Sequence, residues 1–343
     1  MVDPKGLAST LFERLAPPLA WFSKSRTLKL YFFMIRRGQL LLIFPEFALF
    51  CVLGARCNAQ TSDFAKDELT WRSQHAADLQ KPDGWLSLIG LEWLQPGETT
   101  LGSAKDNKIR LPESAPPHLA LLKLENGSVQ LRAPKEGFPS GLQVAGMPAT
   151  EQVLRVEPDH DKLNPRITYG NLNFYVIRRA DRFAVRIKDA KSPSLAEFQA
   201  LKWYPPDAAY KVMAKWVPYH PAKKISLITL IGTSYDQPVP GYAEFTLQGE
   251  AYRLEPVLED PQSNKLFFIL KDVTSADTTY PACRFLYTPP PDHGVDREGE
   301  LVLDFNHLEN PPCAYTPYAT CPLPPRQNRL KIALPVGEQR YHD

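Results

Sequence analysis

Thirty-four prolines run through the 343 residues, well above the usual share of about 5%. Each one fixes φ and removes a backbone donor. The chain is therefore expected to be made of turns, extended loops and short strands rather than long helices. From Trp85 onward, short apolar runs and turn residues alternate at close spacing. Gly84–Leu94 ends at Gln95-Pro96-Gly97, and Ala120–Ala133 reads as a hairpin about Asn126-Gly127, a dipeptide suited to the left-handed turn conformation. Short strands follow at Gly141–Gly146 and Glu151–Val156, so residues 84–157 are expected to form a small β-sandwich. A Pro- and Asp-rich connection, Glu157–Pro165, precedes a second region over 165–343. There Asn171–Lys188 is the clearest hairpin. Further strands are expected at Ile225–Ile231, Tyr242–Leu247, Ala251–Val257, Lys265–Leu270, Arg284–Thr288 and Leu301–Phe305, with a turn at Asn264. Without βαβ alternation, these imply an antiparallel meander or barrel-like domain.

The N-terminal 59 residues read differently. Arg36 and Arg37 precede the apolar run Leu40–Ala55, and Arg56-Cys57-Asn58-Ala59-Gln60 follows, the order of a secretory signal peptide over about 34–59. Met34 is the expected start, with residues 1–33 an over-extension. Pro45 and Glu46 interrupt the run, so no membrane span is expected after cleavage near Ala59. The expected location is periplasmic or otherwise in the cell envelope. Eight of the 40 Lys/Arg and three of the 38 Asp/Glu fall in this leader, leaving a formal net charge of −3 on the remainder. Nothing in that balance suggests a nucleic-acid partner.

One helix is expected after the leader, in residues 60–83. Leu69, Arg72, Ala76 and Leu79 share its spacing, and Pro82-Asp83-Gly84 stops it. His75 is expected on its solvated surface. In the second hairpin Phe183, Val185 and Ile187 alternate with Ala184, Arg186 and Lys188, one apolar face and one cationic. The cationic face reads either as an anion site or, preferentially, as a solvated sheet face balanced by Asp181 and Asp189. Ser192-Pro193 followed by Glu197 resembles a helix start. Trp203 and Trp216 are expected to be core anchors.

The densest chemistry lies in Leu303–Leu330. Asp304 and Asn306 fall on one side of a strand. Pro311 and Pro312 stiffen a loop that carries Cys313, Tyr315, Tyr318 and Cys321, and Asn328 and Arg329 lead into a last strand, Leu330–Leu334. Cys313 and Cys321 suit a disulfide in an exported protein or a pair of buried free thiols. A nucleophilic Cys313 with a histidine base, or a metal held by Asp304, His307 and a cysteine, are weaker alternatives. No metal, cofactor or recognised catalytic motif is assigned.

Two resemblances bear on this reading. A Leu-Gly-Ser turn, a strand ending in Leu-Pro and then a hairpin together resemble a forkhead-associated sandwich. That fold's Arg and Ser-x-x-His phosphopeptide readers are replaced by Pro116-Pro117-His118, with His118 expected in a loop. More specifically, Leu303-Asp304-Phe305-Asn306, Asn310–Pro325 and Asn328-Arg329-Leu330 closely resemble the signature of the bacterial and archaeal DUF1684 family. The similarity extends through Arg284-Phe285-Leu286, Arg186–Asp189 and Gly84-Trp85-Leu86. This chain departs from it at His307-Leu308-Glu309, where Arg-Ala-Tyr is commoner, and at Cys283, where Gly is, which weakens any role for His307 and Cys283. The family implies kinship and a shared site without a reaction.

The resulting expectation is a mainly β exported protein: an N-terminal helix, a small β-sandwich and a larger antiparallel barrel-like domain. Its pocket would be lined by Arg186, Lys188, Arg284, Asp304, Asn306, Tyr315, Tyr318 and Arg329. It would take an unknown small molecule, anionic or peptide-like, with hydrolysis one expected activity. The alternative is a non-enzymatic envelope module in which the same residues form a buried hydrogen-bond network.

Overall fold

The computed structural model describes residues 46–157, 163–259 and 265–342, with the side chains of the first helix described from Asp63 onward. Residues 1–45 of the expected leader and the expected turn at Asn264 lie outside the described residues. Met1–Val52 is a separate unit, whose described part is the start of helix α1 (Glu46–Leu79); Leu53–Asp343 forms one compact unit, to which every side chain discussed below belongs. Among the described residues no helix is long and apolar enough to cross a membrane.

The chain from β1 onward is mainly antiparallel β, in short strands set by its turns. In order these are β1 (Leu88–Trp93), β2 (Gly97–Gly102), β3 (Ile109–Arg110), β4 (Ala120–Glu125), β5 (Ser128–Arg132), β6 (Gln143–Val144), β7 (Met147–Pro148) and β8 (Gln152–Leu154). Then come β9 (Ile167–Tyr169), β10 (Leu172–Arg179) and β11 (Arg182–Asp189), followed by α2 (Pro193–Ala196). Ser192 caps α2 by accepting from the Leu195 amide at 3.2 Å, but the expected helix lasts only these four residues. The last group is β12 (Lys211–Ile228), β13 (Ser234–Leu247), β14 (Glu250–Leu254), β15 (Leu266–Leu270), β16 (Arg284–Thr288) and β17 (Gly299–Asp304).

A five-stranded sheet, β3-β2-β4-β5-β8, and a six-stranded sheet, β1-β11-β10-β9-β6-β7, enclose one apolar core. Leu101, Leu122 and Leu131 come from the first sheet, and Phe174, Val176, Phe183, Val185 and Ile187 from the second. The 171–188 hairpin therefore shares a core with strands that precede Glu157. The Asn126-Gly127 turn forms as expected, with φ of 50° and 71°, values that a two-residue hairpin turn requires.

The second core lies between the four-stranded sheet β14-β13-β12-β17 and the β15–β16 ladder. Strand period explains why Leu266–Leu270 is apolar throughout. Leu266, Phe268 and Leu270 enter this core, while Phe267 and Ile269 enter a third cluster with Phe285, Cys283 and Cys321. With both faces covered, the strand has no place for an alternating polar residue. These sheets remain open, and no closed barrel forms among the described residues. The expected last strand, Leu330–Leu334, is not a strand. It is instead tied down by side-chain bonds from Asp272 and Arg284.

Candidate functional site

The C-terminal block takes its shape from polar side chains that cap one another. β17 stops at Asp304, whose Oδ1 accepts from the Asn306 amide at 3.1 Å and from its Nδ2 at 3.0 Å, starting a turn of 3₁₀ helix at Phe305–His307. The two residues meet through this turn, not through the strand alternation expected from sequence. Asn306 is fully buried and clamps Asp207, accepting from its amide at 2.8 Å and donating to its carbonyl at 2.9 Å. Asn328 similarly bridges the Glu255 and Ile269 carbonyls.

Helix α1 presents its polar and aromatic face to this block. Glu68 and Arg72 are buried while Leu69 is 62% exposed, so the inward face runs through Glu68, Trp71, Arg72, His75 and Leu79; of the expected set, Arg72 and Leu79 lie on it and Leu69 does not. The helix can turn sharply into the sheet because Gly84 passes against the Leu79 carbonyl, where a Cβ would collide. The His75 imidazole is 12% exposed and lies between two acids, with Nδ1 3.2 Å from Glu309 and Nε2 3.4 Å from Glu338. The expectation of a solvated His75 is thus overturned. Burial alone would lower its pKa, but the two carboxylates outweigh that and raise it to about 10. Glu338, wholly buried, also accepts from the Tyr315 hydroxyl at 2.5 Å and the Asn310 amide at 2.9 Å. Burial, and then this carboxylate, hold the Tyr315 phenol well above its usual pKa.

A second histidine completes the contact. His307 Nε2 lies 3.0 Å from Glu68 Oε1, and its ring stacks on Trp71 at 4.2 Å between centroids. Trp71 is also parallel to His75, and Trp203 meets both of them edge-on. Trp203 is therefore part of this aromatic cluster, whereas Trp216 is the fully buried anchor expected. His307 and Glu309, two positions where this chain departs from the family signature, are both built into the contact with α1. The sequence signal that could have found it is the i, i+4, i+7 spacing of Glu68, Arg72 and His75 on one helical face.

The other expected pocket residues do not converge. Arg186 and Lys188 are 3% and 8% exposed, so they form neither a solvated face nor an open anion site. Trp85, on the α1–β1 connection, covers both, with its ring 5.3 Å from the Arg186 guanidinium and 5.4 Å from Lys188 Nζ. Lys188 also donates to the Asp83 carbonyl. Arg284 is fully buried, ion-paired with Asp272, and donates to the Val336 and Leu334 carbonyls at 2.7 and 3.0 Å. Tyr318 is exposed. Arg329 alone of the expected cations faces an open groove, of about 480 Å³, together with Lys271 and Lys331.

Cys283, Cys313 and Cys321 are free thiols in the structure, so of the two readings of Cys313 and Cys321, a disulfide or a pair of thiols, the bridge is not formed. The Cys313 amide instead donates to Cys321 Sγ at 3.2 Å. Hydrogen bonding from Cys321 lowers the Cys313 pKa against the effect of burial, while burial pushes Cys283 and Cys321 up. Because Cys313 is also the least buried of the three, brief iodoacetamide treatment of the native protein is expected to label it several-fold faster than Cys283 or Cys321. Peptide mapping that finds Cys313 unlabelled until denaturation would contradict this geometry.

Taken together, the chain is a mainly antiparallel β protein whose N-terminal helix brings acids and aromatics onto a histidine-bearing C-terminal block. Residues 196–339 match the model of the family described as "Protein of unknown function (DUF1684)". The segments Gly84–Leu86 and Arg186–Asp189, which share the resemblance, fall outside the match. An uncharacterised protein of Haloarcula marismortui, known from a solution NMR structure, is 27% identical over 42% of this chain and 78% of its own, with a TM-score of 0.36. The FhaA FHA domain, solved with the intracellular domain of Rv3910, and a second FHA domain solved in a study of phosphothreonine-dependent interactions are each 17% identical over 29% of this chain. They are covered over 97% and 92% of their own lengths, both with a TM-score of 0.20. None of the three superimposes closely enough to carry an argument about fold or function. No curated protein matches the chain.

Proposed function

We propose that this protein is an exported binding protein for a small anion, a carboxylate or phosphate compound, held in the groove between the β15–β16 connection and the C-terminal segment. The observation that carries this reading is the charge of the groove wall. Lys271, Arg329 and Lys331 line it, and its one acid, Asp272, is already neutralised by Arg284. Lys271 donates to the Pro281 carbonyl at 2.7 Å, and Arg329 contacts the Pro324 carbonyl at 3.4 Å. Both cations retain further N–H donors for a ligand, and Ala282 and Pro324 supply apolar contact. Export rests on the charged and apolar order of residues 34–59. This lining supplies binding, and no hydrolytic step is assigned to it.

Calorimetric titration with inorganic phosphate and with succinate tests the proposal. One of these anions is expected to bind saturably, more weakly as salt rises. The double variant Arg329→Ala/Lys331→Ala, confined to exposed positions, is expected to lose about tenfold or more in affinity, about 1.4 kcal/mol. Binding unchanged in that variant, or no binding of either anion to the wild type, would refute it. The second reading, a non-enzymatic structural module, draws support from Arg284, Asn306 and Tyr315, whose polar atoms are engaged by the protein itself. Under that reading the groove cations could be removed with no ligand effect.

A further inference from the structure

We infer that Glu68, Asp304 and His307 form a binding site for one divalent transition-metal ion, zinc or manganese, distinct from the anion groove. One donor atom from each lies within 4.8 Å of the other two. His307 Nε2 and Glu68 Oε1, 3.0 Å apart, have about the separation of two neighbouring ligands on a metal with bonds near 2.0–2.2 Å. Two carboxylate oxygens and one imidazole nitrogen suit zinc or manganese and offer no sulfur for a softer ion.

The independent observation is a buried carboxylate oxygen that no hydrogen bond satisfies. Glu68 is 2% exposed, yet its Oε2 has no hydrogen-bond partner among the described groups. Arg72, one turn along the helix, does not supply one. Its guanidinium lies 4.8 Å from the Trp203 ring, and its own Nε and Nη2 lack hydrogen bonds. Asp304 Oδ2 likewise has no hydrogen bond, only the Lys211 ammonium 3.3 Å away. Buried carboxylate oxygens in this state are costly, and a cation held between the two carboxylates would offset that cost.

The ligands are also held in place before any ion binds. Asn306 locks Asp304 Oδ1, the Asp207 backbone locks Asn306, and Trp71 stacks on the His307 ring. Such outer contacts orient ligands. The His307 side chain is 28% exposed, which leaves an entry path and room for water as the remaining ligands. Lys211, 49% exposed, occupies the position of a competing cation and is free to swing outward.

The test is titration of the chelator-stripped full chain with Zn²⁺ by calorimetry and with Mn²⁺ by EPR, an ion that thiols hold poorly. One saturable site is expected. Glu68→Gln and His307→Ala should each weaken it tenfold or more, whereas Lys211→Ala should tighten it several-fold by removing the competing ammonium. Absence of saturable binding by both ions overturns the proposal, as does binding that all three substitutions leave unchanged, which would put the metal elsewhere. If Glu68→Gln or His307→Ala fails to fold, Lys211→Ala still decides the matter, because unchanged or weaker binding in that half-exposed variant also overturns it.

Discussion

Replacing Asp272 by Ala is expected to cost about 3–5 kcal/mol of unfolding free energy, the range for leaving one partner of a buried ion pair uncompensated. The Arg284 guanidinium it would abandon is wholly enclosed and cannot shed its proton to escape the penalty. Asp272 also does more than pair. Oδ1 accepts from the Thr274 amide at 2.8 Å, the Thr274 hydroxyl at 2.6 Å and the Leu334 amide at 3.2 Å, while Oδ2 takes Arg284 Nε at 3.1 Å. The same carboxylate thus starts the 3₁₀ turn Val273–Ala276 and anchors the C-terminal segment. Urea unfolding measures the loss. Removing the charge as well, in Asp272→Ala/Arg284→Met, is expected to recover about 1–2 kcal/mol, since an apolar side chain of similar length fills the site without desolvated charge. Recovery should be incomplete because the Leu334 and Val336 carbonyls lose their donor. The exposed Arg329→Ala should change stability by less than about 1 kcal/mol. Equal, small effects from Asp272→Ala and Arg329→Ala would show that the buried pair does not organise this region.

The contrast between Arg284 and Arg329 also shows which features the sequence makes legible. The two arginines look alike in the family signature, yet one is enclosed by residues from several segments and the other faces a groove. Local pattern identified the Asn126-Gly127 turn, the Asn171–Lys188 hairpin and the strand Lys265–Leu270, each to within a residue, because near neighbours determine turn conformation and the two-residue period. It failed where the deciding partner is distant in sequence. Arg186 and Lys188 alternate as a solvated face would, but Trp85, a hundred residues earlier, lies over both cations. Likewise, the buried stripe of α1 is selected by what it meets. Because the opposing surface offers His307 to Glu68, and Glu309 and Glu338 to His75, that polar face turns inward and Leu69 is left in solvent. Barrel closure was illegible for a related reason. A strand's alternation reports its faces and says nothing about which edge it will meet. The cysteine spacing was compatible with both a bridge and two thiols, and only side-chain geometry separates them.

His75 makes the α1 contact dependent on pH, in a direction that follows from its two acids. Its pKa in the folded protein is about 10, against about 6.5 in the unfolded chain. Below 6.5 both states are protonated, and the contact with Glu309 and Glu338 contributes in full. Between 6.5 and 10 the folded state retains a proton that the unfolded state has lost, so stability must fall as pH rises. The loss is expected to be about 2–4 kcal/mol across that window, appropriate to a side chain 12% exposed. The charged and titratable groups around this contact are Glu309, Glu338, Arg72 and Asp78, with Tyr315 behind Glu338 and Cys313 farther along the same block. Cys313, whose pKa is lowered, acts in the opposite sense, adding stability as the pH rises. Comparison with His75→Ala isolates the histidine. That variant should be less stable at pH 6.5, where it leaves the fully buried Glu338 without its cation, and nearly as stable as the wild type at pH 10. Urea midpoints at half-unit pH steps provide the measurement. Parallel pH profiles for the two proteins would mean that His75 is neutral in the fold and that Glu338 is held by Tyr315 and Asn310 alone.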